Sequence, residues 1–297
     1  MFHPDGIHIL GGGNNGIQRW RLADGEEVGK QMGVGRMVAI SASRDQKWVV
    51  CGTESGASVW DAELRERVVD VEERYSVRAV DVSPDSTRFA TGTTSGEVSI
   101  WSISSGERLV GPLKHGRDVR VVRFSPNGEY IATACFINRG SVHIFESHTG
   151  NKVIDIKTTG TALWTPATPL VWTNDSQQIL VTSDGNTVKS FDVSTGSQLA
   201  ESQILNDGDG KGKVKSIALA TNGLFIATFS GHTIFFLDAS TLTRIGSIIN
   251  KSEDIVPIAL SPDSKYLATG QRDGKISVHN IGHILLNVHD PPQVSIC

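Results

Sequence analysis

The chain has 297 residues, 38% hydrophobic and 20% charged, with a formal net charge of −4. That is apolar material for one large β domain or two ordinary ones, and too little positive charge to draw the chain to nucleic acid or an acidic membrane. No apolar run approaches the roughly 20 residues of a transmembrane helix, and the opening "MFHPDGIHIL" lacks the basic stretch, apolar core and cleavage site of a secretion signal.

One pattern recurs from end to end. In chain order the copies are "FHPDGIHILGGGNNGIQRWR", "ASRDQKWVVCGTESGASVWD", "VSPDSTRFATGTTSGEVSIWS", "FSPNGEYIATACFINRGSVHIFE", "WTNDSQQILVTSDGNTVKSFD", "LATNGLFIATFSGHTIFFLD" and "LSPDSKYLATGQRDGKISVHN". Each opens on a polar turn, runs into a short apolar strand such as "RFATG", turns again, and continues as an alternating strand such as "EVSIWSI". A further turn, "SSGE" or "STGS", leads to an outer strand. Alternation of period two, broken every few residues by turns, excludes amphipathic helices here. One position in each copy is marked by Trp20, Trp60, Trp101, Phe145, Phe191, Leu237 and His279, spaced 40, 41, 44, 46, 46 and 42 residues apart. A period in the low forties with several strands per unit is the signature of a propeller blade.

These blocks resemble the WD-repeat (tryptophan–aspartate repeat) β-propeller family. The dipeptide survives intact as Trp60-Asp61, and Phe191-Asp192 and Leu237-Asp238 keep its acidic half. The degenerate repeats are similar to the expanded WD-repeat sets of filamentous fungi, where propellers can be joined to nucleotide-binding signalling modules; no such module lies in this sequence. The resemblance implies an all-β, single-domain, seven-bladed β-propeller of four-stranded antiparallel blades. Blade one is expected at 1–34 with 293–297, and the others near 35–74, 75–116, 117–163, 164–211, 212–252 and 253–292. Strands a to d run outward from the channel. "QVSIC" followed by "MFHPDG" aligns without a gap to "SVRAV" followed by "DVSPDS", placing Phe2 on Val82. Gln293–Cys297 is therefore expected to close the ring as strand a of blade one, pairing near Ile7–Leu10.

The family often links a loop His, a strand-b Ser or Thr, a turn Asp and the strand-c Trp. No complete set occurs here. Blade three has Thr91 and Trp101 but Ser95 at the turn, blade four has His115 and Thr133 but Phe145, and blade seven has Thr269 and Asp273 but His279. Apolar packing between blades is expected to carry the stability, with His279 as an interblade substitute for an aromatic.

The resemblance implies a non-catalytic protein–protein interaction scaffold whose top face, built from the starts of strand a and the b–c turns, binds a protein or peptide. The chain is expected to be monomeric on its own and part of a complex. Candidate contacts are Arg36, Arg117, Arg139, Trp164, Lys213 and Arg272. Trp164, in the loop "TTGTALWTPATP", either folds back on its blade or faces a partner. An alternative is a sensor of phospho-ligands or acidic peptides that uses Arg78, Arg120 and Lys215 near the channel, unless those groups pair with Asp81; the least favoured reading is a propeller enzyme working in the channel. No catalytic residue, cofactor or metal site is assigned. The nine histidines and three cysteines show no zinc spacing, and "NDGDGKGKV" matches an EF-hand loop at Asp207, Asp209 and Gly212 but places Ala218 where the bidentate Glu belongs. Cys51, Cys135 and Cys297 form no CxxC pair and read as reduced thiols of a cytoplasmic or nuclear protein. The sequons at Asn174 and Asn250 read as chance matches.

Overall fold

The computed structural model describes residues 1–13, 16–33, 36–116, 118–135, 141–157, 170–182, 186–205, 214, 216–231, 233–249, 255–271 and 276–282. Seven antiparallel sheets follow one another along the chain, here numbered as blades. Blade one is the pair His8–Gly13 and Gly16–Arg21. Blade two is Met37–Ala42, Trp48–Thr53, Gly56–Asp61 and Arg67–Glu72, and blade three is Val77–Val82, Arg88–Thr93, Glu97–Ser102 and Arg108–Lys114. Blade four is Val121–Phe124, Tyr130–Cys135, Ser141–Glu146 and Lys152–Lys157. Leu170–Trp172, Gln178–Thr182, Val188–Asp192 and Gln198–Glu201 form blade five. Ile217–Leu219, Phe225–Ser230, Thr233–Asp238 and Arg244–Ile249 form blade six. Blade seven has three described strands, Ile255–Leu260, Tyr266–Gln271 and Ile276–Asn280. Within each four-stranded sheet the order follows the chain, and the first strands of blades two to seven lie beside one another in turn. The fold is an all-β propeller of four-stranded antiparallel blades.

The turn from strand a to strand b shows why so diverse a sequence repeats one shape. Its last residue is Gly6, Gln46, Ser86, Gly128, Ser176, Gly223 and Ser264 in successive blades, and every φ lies between 59° and 75°. Glycine enters this left-handed region freely, whereas Ser does so at a cost. The serines have a reason to be there. Ser86 Oγ accepts from Asp45 N–H (3.3 Å), Ser176 Oγ from Asn127 N–H (3.1 Å) and Ser264 Oγ from Thr221 N–H (3.1 Å). Each bond ties a turn to the preceding blade. Behind the turn, Ser83 Oγ donates to Asp85 Oδ1 (2.5 Å), and Asp85 Oδ1 in turn accepts from Thr87 N–H (3.1 Å). The "SPDS" tetrad thus satisfies its own backbone while pointing the chain back along the sheet.

The core lies between blades. Val50, Val59 and Val71 of blade two pack with Phe89 and Trp101 of blade three, and Ile144 and Ile156 of blade four pack with Leu170 and Ile179 of blade five. Phe2 and Ile9 of blade one pack with Ala268 of blade seven. Full burial of such side chains is worth roughly 1.5–3 kcal/mol each. The first two residues behave as the end of a strand a: Met1 and Leu10 exchange backbone bonds of 2.7 and 2.8 Å, and Phe2 bridges Ile9 as Val82 pairs with Phe89. Strand b of blade one, His8–Gly13, runs further than the expected Ile7–Leu10. Gln293–Cys297 lies outside the described residues.

Candidate functional site

Antiparallel order puts the start of strand a and the b–c turn of each blade at one end of the sheet, so loops from every blade face the same way. Blade two contributes Arg36 and Glu54 there, an exposed ion pair with Nη1 and Oε1 3.0 Å apart. In water such a pair adds little stability, which leaves both groups available to a partner. Blades three and four contribute Ser76 and Arg78, and at the equivalent positions Asp118 and Arg120. Arg120 Nη2 meets Asp118 Oδ2 at 2.6 Å, with both side chains largely covered. Arg78 Nε, Ser76 Oγ, Arg120 Nε and Asp118 Oδ1 are enclosed and lack hydrogen-bond partners among the described residues. Enclosed polar atoms without partners are costly, and a bound side chain or peptide group would satisfy them. Of the sequence candidates, Arg36, Arg78 and Arg120 are described; Arg117, Arg139, Trp164, Lys213, Lys215 and Arg272 lie outside the described residues.

Asp81, one step deeper along strand a of blade three, takes a structural part. It accepts from Phe124 N–H (2.8 Å), Ser41 Oγ (3.3 Å) and Arg123 Nη1 (3.4 Å), joining blades two, three and four. Burial pushes its carboxyl above the usual range, against the pull of Arg123 and Phe124 N–H. The sequence offered Asp81 as a counter-charge for the channel cations. The structure gives it to Arg123, while Arg120 turns to Asp118.

Beneath the loops sit two clusters built on one frame. In blade three Trp101 Nε1 donates to Thr91 Oγ1 (2.9 Å), and Thr91 donates on to Glu73 Oε1 (3.1 Å). Glu73 stands 18 residues before Thr91, as His115 stands 18 before Thr133. A Glu therefore completes in blade three the chain that a loop His would complete, and sequence reading overlooked it by searching for His. The matching offset was the available signal. Burial raises the Glu73 pKa against the pull of Thr91 and Arg108. In blade four His115 Nε2 lies 3.3 Å from the Thr133 carbonyl, and its ring stacks on His143 at 3.8 Å. His143 Nε2 meets Asp155 Oδ1 at 2.6 Å. Burial and His115 hold the His143 pKa down to about 4. Cys135 closes this cluster. Burial pushes its thiol up, but His115 and Ser141 outweigh that and bring it to about 7. It is only 3% exposed, which keeps reagents away. His279 in blade seven is half-buried, with Nε2 enclosed and its pKa lowered by burial. Among the described residues no three His, Cys, Asp or Glu groups could hold a metal ion, and no helix is long and apolar enough to cross a membrane.

The family model of the WD domain, G-beta repeat, matches residues 70–102, 108–146 and 256–280, three copies of the repeating unit. The chain carries repeats of the WD40 family. Actin-interacting protein 1 of Drosophila melanogaster is 24% identical over 290 residues, 95% of this chain and 47% of that protein. The intraflagellar transport protein 122 homolog of Xenopus tropicalis is 22% identical over 293 residues, 97% of this chain and 23% of that protein. The chain thus spans less than half the length of each of these relatives. A solved chain of Kuenenia stuttgartiensis hydrazine synthase superposes with a TM-score of 0.81 at 14% identity, covering 95% of this chain and 94% of that one. At that identity the likeness speaks to the fold alone.

Proposed function

We propose that this WD40 propeller is a non-catalytic scaffold that presents the strand-a and b–c end of its blades to a protein or peptide partner. The observation that carries this reading is the set of unpartnered polar atoms at Ser76, Arg78, Asp118 and Arg120, beside the exposed Arg36–Glu54 pair. Charges of both signs at one rim suit a partner of patterned charge better than a uniform polyanion. Arg117, Arg139, Trp164, Lys213 and Arg272 belong to the same reading by their places in the repeat. A relative named for interacting with actin supports the class of function and leaves the partner of this chain open.

The reading includes a seven-bladed ring closed by Gln293–Cys297 as strand a of blade one. Packing of Phe2 and Ile9 on Ala268, and the strand-like pairing of Met1 and Phe2, support it. Removing residues 293–297 should lower the melting temperature of the whole molecule, and an unchanged melt would sink the closure. A second reading, a sensor for phospho-ligands or acidic peptides at the channel, is favoured by Arg78, which has no ion pair among the described residues.

Affinity purification of the intact chain from native extract, beside a variant with Arg36, Arg78, Arg139 and Trp164 changed to Ala, tests the scaffold. Partners kept by the first and lost by the second support this rim. Partners bound equally by both would move the interface elsewhere.

A further inference from the structure

At one strand-c position blade one carries a cation where the other blades carry an apolar or small neutral residue, Ser190 in blade five and Val278 in blade seven among them. The strand-c residue paired with the middle of strand b is Val59, Ile100, Ile144 and Phe236 in blades two, three, four and six, and all four are fully buried. In blade one this place belongs to Arg19, paired with Leu10. The turn residue that is Ser43, Ser83 and Ser125 in blades two to four is His3 in blade one, and its side chain is 5% exposed. Two apolar or small neutral positions have become cationic or basic at the same spot.

Arg19 and His3 line a small cavity between blades one and two, together with Lys30, Arg65, Leu10 and Ile17. The cavity measures about 10 Å³ for a water-sized sphere, room for roughly one oxygen. His3 Nε2 and Arg19 Nε are enclosed and have no partner among the described residues. His3 Nδ1 is held by Asp5 at 2.9 Å, and Asp5 is shared with His8, so that carboxylate is already engaged. Among the described residues none of Arg19, Lys30 and Arg65 has a carboxylate within ion-pair distance.

The placing of Arg65 is built in. Its Nη1 donates to the Lys30 carbonyl at 2.6 Å. Its guanidinium lies against Gly29, which has φ +69°, and a Cβ there would meet Nη1 at 2.4 Å and Cζ at 2.5 Å. The absence of a side chain at Gly29 leaves room for the guanidinium to lie on the backbone, and its positive φ suits glycine. The packing holds Arg65 near Arg19, and burial and Arg19 both lower its pKa. Like charges brought together in a partly covered site repel unless an anion sits between them.

We propose that the seam between blades one and two is an anion site that seats one oxygen of a phosphate-type oxyanion among Arg19, Arg65, Lys30 and the imidazolium of His3, whose Nδ1–H stays on Asp5 while Nε2–H donates to the anion. Arginine suits such a group because its fork gives paired, charge-assisted donors to oxyanions. The a–b turn and the c–d turn that frame this seam lie at the end opposite the proposed partner rim, so the two sites are separable by mutation.

Titration calorimetry and thermal melts with inorganic phosphate, against chloride at equal ionic strength, test the site. Phosphate should raise the melting temperature saturably and chloride should not. Arg19→Ile restores the residue type of blades three and four, and so should fold while weakening phosphate binding at least tenfold. Arg65→Gln, which leaves the core untouched, should weaken it similarly, and Lys152→Ala, on the outer strand of blade four, should leave it unchanged. Phenyl phosphate binding more tightly than phosphate would assign the site to a phosphomonoester; the reverse order would assign it to the free anion. No saturable response in the parent chain, or the same response in Arg19→Ile and Arg65→Gln, would overturn the proposal.

Discussion

Blades three and four share a backbone plan and differ in how they fill one buried place. Blade three puts Glu73 there and runs a hydrogen-bonded chain through Thr91 to Trp101. Blade four puts His115 there, replaces Trp by Phe145, and stacks the imidazole on His143. The first solution depends on directional bonds and the second on ring contact with a single outward link to Asp155. A repeat therefore conserves a location for polar groups rather than a residue, and opposite chemistries can occupy it.

The broadest way to break the comparison is to cut the frame that both blades share. Asp81→Ala removes the acceptor of Phe124 N–H, Arg123 and Ser41, and urea denaturation should show a loss of about 3 kcal/mol, the lower end for a buried charged network. Next comes Thr91→Val, which strands Trp101 Nε1 and Glu73 together. It should cost about 2–3 kcal/mol. Thr133→Val should cost under about 1 kcal/mol, because that hydroxyl makes one marginal bond to the His143 carbonyl at 3.4 Å. Equal losses in the two variants would erase the distinction drawn here.

The two blades should also answer pH with opposite signs. His143 titrates near 4 when folded and nearer 6.5 when free. The unfolded chain takes up that proton first, so stability falls as pH drops from about 6.5 toward 4. Glu73 is raised by burial; the folded chain holds its proton longer, so its contribution to stability falls as pH rises above about 4.3. Melting curves of His143→Ser, which borrows Ser99 from blade three, should lose the acid-side decline. Curves of Glu73→Gln should lose the opposing term. The smallest effect is expected from Phe145→Trp, a gain of at most about 1 kcal/mol if the new indole N–H reaches Thr133 as Trp101 reaches Thr91.

The blade plan was legible because its period, turns and alternation are local and repeated seven times. The spacing of Trp20 to His279 placed every strand c, and the splice register placed Phe2 on Val82, where the bridge to Ile9 now sits. The interior chemistry was harder to read. Glu73 carries no family signature, and only its offset from Thr91 betrays it. Arg19 looks like an ordinary alternating strand residue until its partner Leu10 shows which face it occupies. His143 and Asp155 are twelve residues apart and meet only because strands c and d of blade four pair in register. The places of Arg36, Arg78 and Arg120 near the starts of strand a were legible, but the pairing of Arg120 with Asp118 rather than Asp81 depends on side-chain reach that a one-dimensional pattern does not encode.

The serines at the left-handed turn positions bear on how the molecule is made. Ser86, Ser176 and Ser264 each grip a backbone N–H that lies 41, 49 or 43 residues earlier. A chain leaving the ribosome has already delivered the gripped turn when the gripping serine emerges. Blades three, five and seven can then each be latched to a finished neighbour without waiting for distant sequence, which keeps these contacts short along the chain and lets those blades dock in the direction of synthesis.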